Sequence, residues 1–405
     1  MARYGEFDAA RANGDFSSLP ELHASLAGMK ALSTWITSDG AEAARRCCGG
    51  HGYSQLSGLP SIFASYVQNV TWEGDNNVMC LQTARFLLKA VYSGRVRRER
   101  EKDSREEFLG GRARARQRGR EKKERGKTHF FSRQKMLETQ EARRAGKPAR
   151  TGGLAGYVVD FDARREQQQR AATNSPGATA ADAVSLLRAR AAAVACAAAD
   201  KLARVCAPHP PQFEGAPWNG CTVDLIRAAR AHCEAELAAA FDAAVESAAV
   251  AGVVGGVGGV LEQSGGEGPS SPPLPAAAVP VLRSLARLHA LRSLTDGAAA
   301  DLADAGLAAP GLLAAAREGV YAELRSLRPF AVPLVDAFAL PDYLLDSAIG
   351  SHDGDAYRRL KAAAEGSQLS SSAAGAGWEP VLKELLAPSL RRKKRDKDEA
   401  PRARL

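Results

Sequence analysis

Leu19-Pro20-Glu21-Leu22-His23-Ala24-Ser25-Leu26-Ala27-Gly28-Met29-Lys30-Ala31-Leu32-Ser33-Thr34-Trp35-Ile36 opens the stretch 19–48, in which Leu22, Leu26, Met29, Leu32, Trp35 and Ile36 recur at three- and four-residue intervals. That spacing predicts a helix with one apolar face. The pair Gly49-Gly50 ends it, and a Gly-rich turn follows through Gly58-Leu59-Pro60. A second helix is predicted from near Asn76, with Val78, Leu81, Ala84, Leu88 and Val91 on one stripe. The junction between the helices reads as a loop that closes in Thr71-Trp72-Glu73-Gly74.

Beyond Arg95 the pattern changes. Residues 95–150 hold 21 Lys/Arg and 9 Asp/Glu with almost no apolar side chains, a composition too polar to offset the entropy of ordering, and they read as a low-complexity insertion. Helical composition resumes from about Gly153 to Ala251, broken by Pro208, Pro210, Pro211 and Pro217. Residues 252–276 are a Gly/Ser/Pro-rich linker, and a last helical region covers roughly 277–387 before a charged tail at 388–405. No strand-like alternation of useful length occurs, so the expected fold class is all-α, with two helical-bundle domains at 1–94 and 151–387.

The 405 residues are 45% apolar, enough for a core of ordinary size. The net charge of +9 raises a nucleic-acid partner, but its location argues otherwise. It is concentrated in residues 95–150 and in residues 391–405, which hold 8 Lys/Arg against 3 Asp/Glu, and the rest of the chain is mildly acidic. No run of about eighteen uncharged apolar residues predicts a membrane span, and no apolar signal core follows Met1. The seven cysteines are odd in number, scattered and without a Cys-x-x-Cys pair, which predicts reduced thiols and no zinc.

The chemistry-bearing stretch is residues 14–89. It begins Gly14-Asp15-Phe16-Ser17-Ser18-Leu19-Pro20 and continues with Cys48-Gly49-Gly50-His51-Gly52-Tyr53-Ser54 and Ser57-Gly58-Leu59-Pro60. It then reads Trp72-Glu73-Gly74-Asp75-Asn76 and Leu81-Gln82-Thr83-Ala84-Arg85-Phe86-Leu87. In this order and spacing the set resembles the C-terminal half of the peroxisomal acyl-CoA oxidases, relatives of the acyl-CoA dehydrogenases. A second window, Arg328-Pro329-Phe330-Ala331-Val332-Pro333-Leu334-Val335-Asp336, then Pro341-Asp342-Tyr343 and Asp353-Gly354-Asp355-Ala356-Tyr357, resembles the end of the same family's second helical domain. The family's N-terminal helical region and middle β-barrel have no counterpart in this chain. By the resemblance it starts inside the first helix of the third domain.

The resemblance implies a homodimeric, FAD-dependent oxidase that converts acyl-CoA to trans-2-enoyl-CoA and passes electrons to oxygen, giving peroxide. Abstraction of a weakly acidic α proton needs a base in a water-poor site, with donors for the thioester oxygen. The resemblance puts that base at Glu73, where burial would raise its pKa, and an oxyanion donor at the Glu73 backbone N–H. It makes Trp72 an aromatic wall over the acyl chain, in place of the usual Tyr or Phe, and gives Gly74 a tight chain path. Gly49, Gly50, His51 and Gly52 are assigned to flavin contact, and Asn77 stands where Thr is usual. Taken alone, Glu73 also fits a helix N-terminal acid favoured by the macrodipole, and the glycines a helix cap.

Two other readings stay open at this point. A non-enzymatic nucleic-acid or scaffold protein would act through segment 95–150, although its 9 acids and its lack of interleaved aromatics beyond Phe108, Phe130 and Phe131 favour a solvated insertion. A dehydrogenase serving a flavoprotein partner would lack the second helical domain. The end Ala403-Arg404-Leu405 is of the small-basic-Leu type read by the peroxisomal import receptor, while Arg391-Arg392-Lys393-Lys394-Arg395 has the composition of a nuclear signal.

Overall fold

A computed structural model describes residues 2–123, 156–158, 161, 180–253 and 275–366. Every regular element among them is helical. Residues 254–274 of the expected linker, 124–150 of the basic segment, most of 151–179, 367–387 of the last expected helical region, and the tail with Ala403-Arg404-Leu405 lie outside the described residues. The chain divides into two compact units, and neither is continuous in sequence. The first comprises Met1–Ser33 and Thr71–Ala331, and the second Thr34–Val70 and Val332–Leu405. This division differs from the sequential domains expected from composition.

The first unit contains α1 (Ala2–Ala12), the beginning of α2 (Leu19–Cys47), and α5 (Asn76–Lys123). Beyond the basic segment it adds α6 (Ala180–Cys206), α7 (Gly215–Asn219), α8 (Thr222–Val253), α9 (Ala278–Asp296), α10 (Ala299–Asp304) and α11 (Leu312–Leu327). Its centre is the pair α6 and α8, with α5 and α9 packed on both and α11 on α9. Both helices are rich in buried alanines, among them Ala191, Ala195 and Ala199 on α6 and Ala228, Ala231 and Ala235 on α8, all fully buried. Small side chains bring the backbones together, so dispersion contacts are numerous without bulky residues.

The same principle corrects the predicted face of α2, whereas the predicted stripe of α5 is buried at Ala84, Leu88 and Val91 and departs at Val78. Leu26, Ile36 and Val78 are about half exposed, whereas Ala24, Ala27, Ala31 and Leu32 of α2 and Cys80, Thr83, Ala84, Leu87, Leu88 and Val91 of α5 are buried. The buried face of α2 is thus largely the one carrying its small residues. A Cβ added to Gly28 would stand 2.4 Å from Cys233 Sγ and 2.7 Å from Thr83 Oγ1. Thr83 Oγ1 donates to Ala24 O at 2.8 Å. Burial in this contact pushes the Cys80 thiol up to about 11.

Two expected irregular stretches are helical. Residues 95–123 continue α5 rather than starting a disordered insertion. Arg, Lys, Glu and Gln are strong helix formers, and a packed first half removes the cost of nucleation. Arg95 also pairs with Asp200 on α6 at 2.8 Å. The junction between α2 and α5 contains α3 (Gly49–Tyr53) and α4 (Leu59–Val67), so Gly49-Gly50 opens a short helix as well as ending a long one.

A buried ion network ties α10 to the central pair. Arg190 donates to Asp301 at 2.7 Å and to Glu234 at 2.5 Å, and Arg227 also donates to Asp301. Arg190 and Asp301 are 5% and 4% exposed, so removing the shared carboxylate leaves a buried guanidinium with Glu234 alone and its Nε without a carboxylate. Asp301→Ala is expected to lower unfolding free energy by about 3 kcal/mol or more, read as a shifted midpoint in urea with an unchanged slope. A shift within about 0.5 kcal/mol, typical of an ordinary surface site, would show that the network does not hold α10.

Candidate active site

The first unit brings Trp72, Glu73 and Gly74 together in the turn that leads into α5. Asp75 starts that helix. Its carboxylate accepts from Asn77 N at 2.9 Å and its carbonyl accepts from Met79 N at 2.9 Å, an N-cap that satisfies donors of the first turn. The Asp75 side chain therefore supplies the cap, and the Thr usual at position 77 is not needed for it.

The turn holds an uncommon backbone. Glu73 has φ of 56° and Gly74 has φ of 105°, both in the left-handed half of conformational space. For an L-residue this costs about 1–2 kcal/mol and persists only when surrounding contacts hold it. Gly74 is required twice over, by its φ and because an added Cβ would lie 2.5 Å from Met79 Cε. What holds the turn is Lys30 on α2. Its ammonium donates to Gly74 O at 2.7 Å and to Asn76 Oδ1 at 2.9 Å. Asn76 is buried, and its amide donates back to Ala31 O at 3.2 Å.

Glu73 itself is exposed in this chain, and Trp72 is 51% exposed. Both exposed residues belong to a turn whose Gly74 carbonyl is held by Lys30 of α2. A carboxylate presented outward on a strained, clamped turn suits a base that meets a substrate arriving from outside this unit.

Gly49, Gly50, His51 and Gly52 belong to the second unit. Its members are the end of α2, α3, α4, and the segments α12 (Ala331–Asp336, beginning at its boundary), α13 (Asp342–Leu345) and α14 (Ala356–Gly366). Glu42 accepts from Arg45 at 2.7 Å and from Arg46 at 2.8 Å, bonds that hold its carboxyl down to about 2 and fix the last turn of α2. Gly52 is glycine for an internal reason. An added Cβ would stand 1.8 Å from Arg45 O, so its close approach is to the chain's own backbone. Gly49 and Gly50 are exposed, with nothing within 4 Å of an added Cβ. His51 is exposed and meets Tyr357 edge to face at 5.8 Å.

The two sequence windows noted above meet in this unit. Ser347 Oγ donates to Ser57 O at 2.5 Å and Ala348 N donates to Leu56 O at 2.9 Å. Arg359 bonds Asp353 at 2.9 Å, closing the loop that presents Tyr357. The Gly49-Gly50 backbone is accessible and lies next in sequence to the His51–Tyr357 ring contact.

Sequence reading missed Lys30, Asn76 and Tyr357 as parts of these sites. One signal for Lys30 was present: it is the sole Lys, Arg, Asp or Glu between Glu21 and Asp39, and it lies among the small residues Ala27, Gly28 and Ala31.

The described residues are thus helical, with an outward carboxylate on a clamped turn at a helix start and a separate glycine ledge. The family follows from comparison with known proteins. A family model for the acyl-CoA oxidase C-alpha1 domain matches residues 2–88, and one for acyl-CoA oxidase matches residues 179–387. The chain belongs to the acyl-CoA oxidase family.

Its curated relatives include peroxisomal acyl-coenzyme A oxidase 1 of Phascolarctos cinereus, 30% identical over 92% of this chain and 45% of the relative. The Homo sapiens protein of the same name is 29% identical over 90% and 44%. Among solved structures, Arabidopsis thaliana acyl-CoA oxidase 1 superposes with a TM-score of 0.65 at 27% identity, covering 94% of this chain and 46% of that one. Acyl-CoA oxidase-2 of Caenorhabditis elegans, bound with FAD, ascaroside-CoA and ATP, shares the fold with a TM-score of 0.65 at 23% identity over 95% and 45%. The chain thus spans about half the length of the relatives it matches.

Replacing Glu73 tests the strain. Glu73→Gly is expected to leave the chain at least as stable, while Glu73→Val lowers unfolding free energy by about 1–2 kcal/mol. Equal stabilities for the two variants in chemical denaturation would show that position 73 does not hold a left-handed conformation.

Proposed function

We propose that this chain supplies the catalytic base and one wall of the flavin site in an FAD-dependent acyl-CoA oxidase, acting with the domains found in the longer relatives. The observation that carries the reading is the clamped left-handed Glu73–Gly74 turn at the start of α5, inside a segment matched by the C-alpha1 family model. Glu73 takes the α proton of the acyl-CoA. Its backbone N–H donates to the thioester oxygen as negative charge develops, and Trp72 lines the path of the acyl chain. Gly74 lets the backbone turn without a side chain in the way. Gly49, Gly50 and His51 are the residues that would lie against the isoalloxazine or its ribityl chain, with Gly52 supporting them from within.

The chemistry supplied by bound FAD is acceptance of a hydride from the β carbon and its delivery to oxygen as hydrogen peroxide. Glu73 becomes useful as a base when its surroundings exclude water, since desolvation favours its neutral, protonated form and so strengthens the carboxylate as a proton acceptor. In this reading the neighbouring domains provide that cover.

A homodimer is part of the proposal. Val332, Val335, Phe338, Leu340, Tyr343 and Leu344 of the second unit are each 60% exposed or more, an apolar surface larger than scattered single residues. Peroxisomal location and recognition by the import receptor are supported by the names of the relatives and by Ala403-Arg404-Leu405. Among the described residues, no helix is long and apolar enough to cross a membrane.

The test uses this chain joined to the N-terminal half of a relative, supplied with FAD. Acyl-CoA in air should yield one peroxide per trans-2-enoyl-CoA, and Glu73→Gln should retain FAD while losing at least about a hundredfold in turnover. A Gln variant with near wild-type turnover would refute the assignment of the base.

A further inference from the structure

Lys30 lies on α2, forty-three positions before Glu73 and outside every motif that carries the family resemblance. We infer that it is a positioning residue for the reaction, holding the Glu73–Gly74 turn so that the carboxylate and the Glu73 N–H stay aimed at the substrate. The inference rests on the reading of Glu73 as the base.

Three features carry it. The first is bond placement. The Lys30 ammonium meets Gly74 O at 2.7 Å and Asn76 Oδ1 at 2.9 Å, so one cation spans the residue after the base and the first residue of α5. The second is rigidity at both ends of that span. Asn76 is 1% exposed and is returned to Ala31 O, the carbonyl next along α2, at 3.2 Å. The adjacent residues Lys30 and Ala31 therefore hold Asn76 through opposite ends of its amide. The third is need. The Asp75 cap fixes the start of α5 from Asn77 N onward, and the peptide that joins Gly74 to Asp75 lies ahead of it. A charged donor on Gly74 O restrains that peptide, and charge-assisted bonds are stronger than neutral ones.

The geometry also says what Lys30 does not do. Its bonds go to a backbone carbonyl and a carboxamide oxygen, so its work is to orient rather than to exchange a proton with substrate. Losing it should degrade alignment of the base, and alignment enters turnover far more than binding.

A general stabilising lysine would give the same hydrogen bonds, so the test separates the two. In the 405-residue chain without flavin, amide hydrogen exchange is followed by mass spectrometry for peptides covering 72–77 and, as an internal control, 84–91. Lys30→Met is expected to speed exchange at 72–77 by about tenfold and to leave 84–91 unchanged, while Lys30→Arg restores most of the protection. In the FAD-loaded protein completed with a relative's N-terminal half, Lys30→Met should lower kcat at least about tenfold with KM nearly unchanged. In a Glu73→Gln background it should cost almost nothing further.

Unchanged exchange at 72–77 would overturn the inference, as would an equal loss of turnover in both backgrounds. If Lys30→Met fails to fold, Lys30→Gln, which keeps a neutral donor, carries the same comparison. Failure of the base reading looks different: Glu73→Gln alone would stay active, whatever the exchange data say of Lys30.

Discussion

The ammonium of Lys30, shared between Gly74 O and Asn76 Oδ1, is the contact on which the active-site geometry depends. A glutamate and a glycine in succession at positive φ are not a conformation that a loop adopts unaided. Here the first turn of α5 is capped by Asp75, and α2 reaches the preceding peptide with a cation. Such an arrangement requires α2 to lie close to α5. Ala24, Ala27, Gly28 and Ala31 permit that approach, and a side chain at Gly28 would collide with Cys233 and Thr83. Packing of small residues and placement of the Glu73 carboxylate are in this way parts of one constraint.

The long helices were legible because their period is strong. Residues 19–48 were expected as a helix and form one over Leu19–Cys47, and α5 begins at Asn76 as expected. Their buried faces were less legible. Counting large apolar residues put Leu26, Ile36 and Val78 inward, but alanine, glycine and threonine make the tighter contact and these three stand half exposed. Polarity was likewise a poor guide to order beyond Arg95, since residues that avoid a core still favour a helix that has already been started.

The site was legible in part. Glu73 stood out through the motifs around it, and its turn has a backbone that a mere helix-terminal acid would not need. Lys30 was hidden because its partners are a backbone carbonyl and a buried amide, and neither leaves a pattern in sequence. Gly52 approaches Arg45 O, a demand of the chain's own folding that the glycine-rich sequence alone does not reveal. The reason for the second window, 328–357, was also invisible in sequence. Ser347 and Ala348 bond the backbone of Ser57 and Leu56, so residues almost three hundred positions apart shape the same unit as the Gly49-Gly50 ledge.

The central claim is that Glu73 removes the α proton of an acyl-CoA. Its most direct measurement is deuterium wash-in at the α carbon, with the assembled protein incubated anaerobically in heavy water with acyl-CoA and the recovered substrate analysed by mass spectrometry. The account predicts that the wild-type protein introduces deuterium at that carbon and that Glu73→Gln, still binding substrate and flavin, introduces none above the uncatalysed background. Wash-in by the Gln variant at the wild-type rate would contradict it.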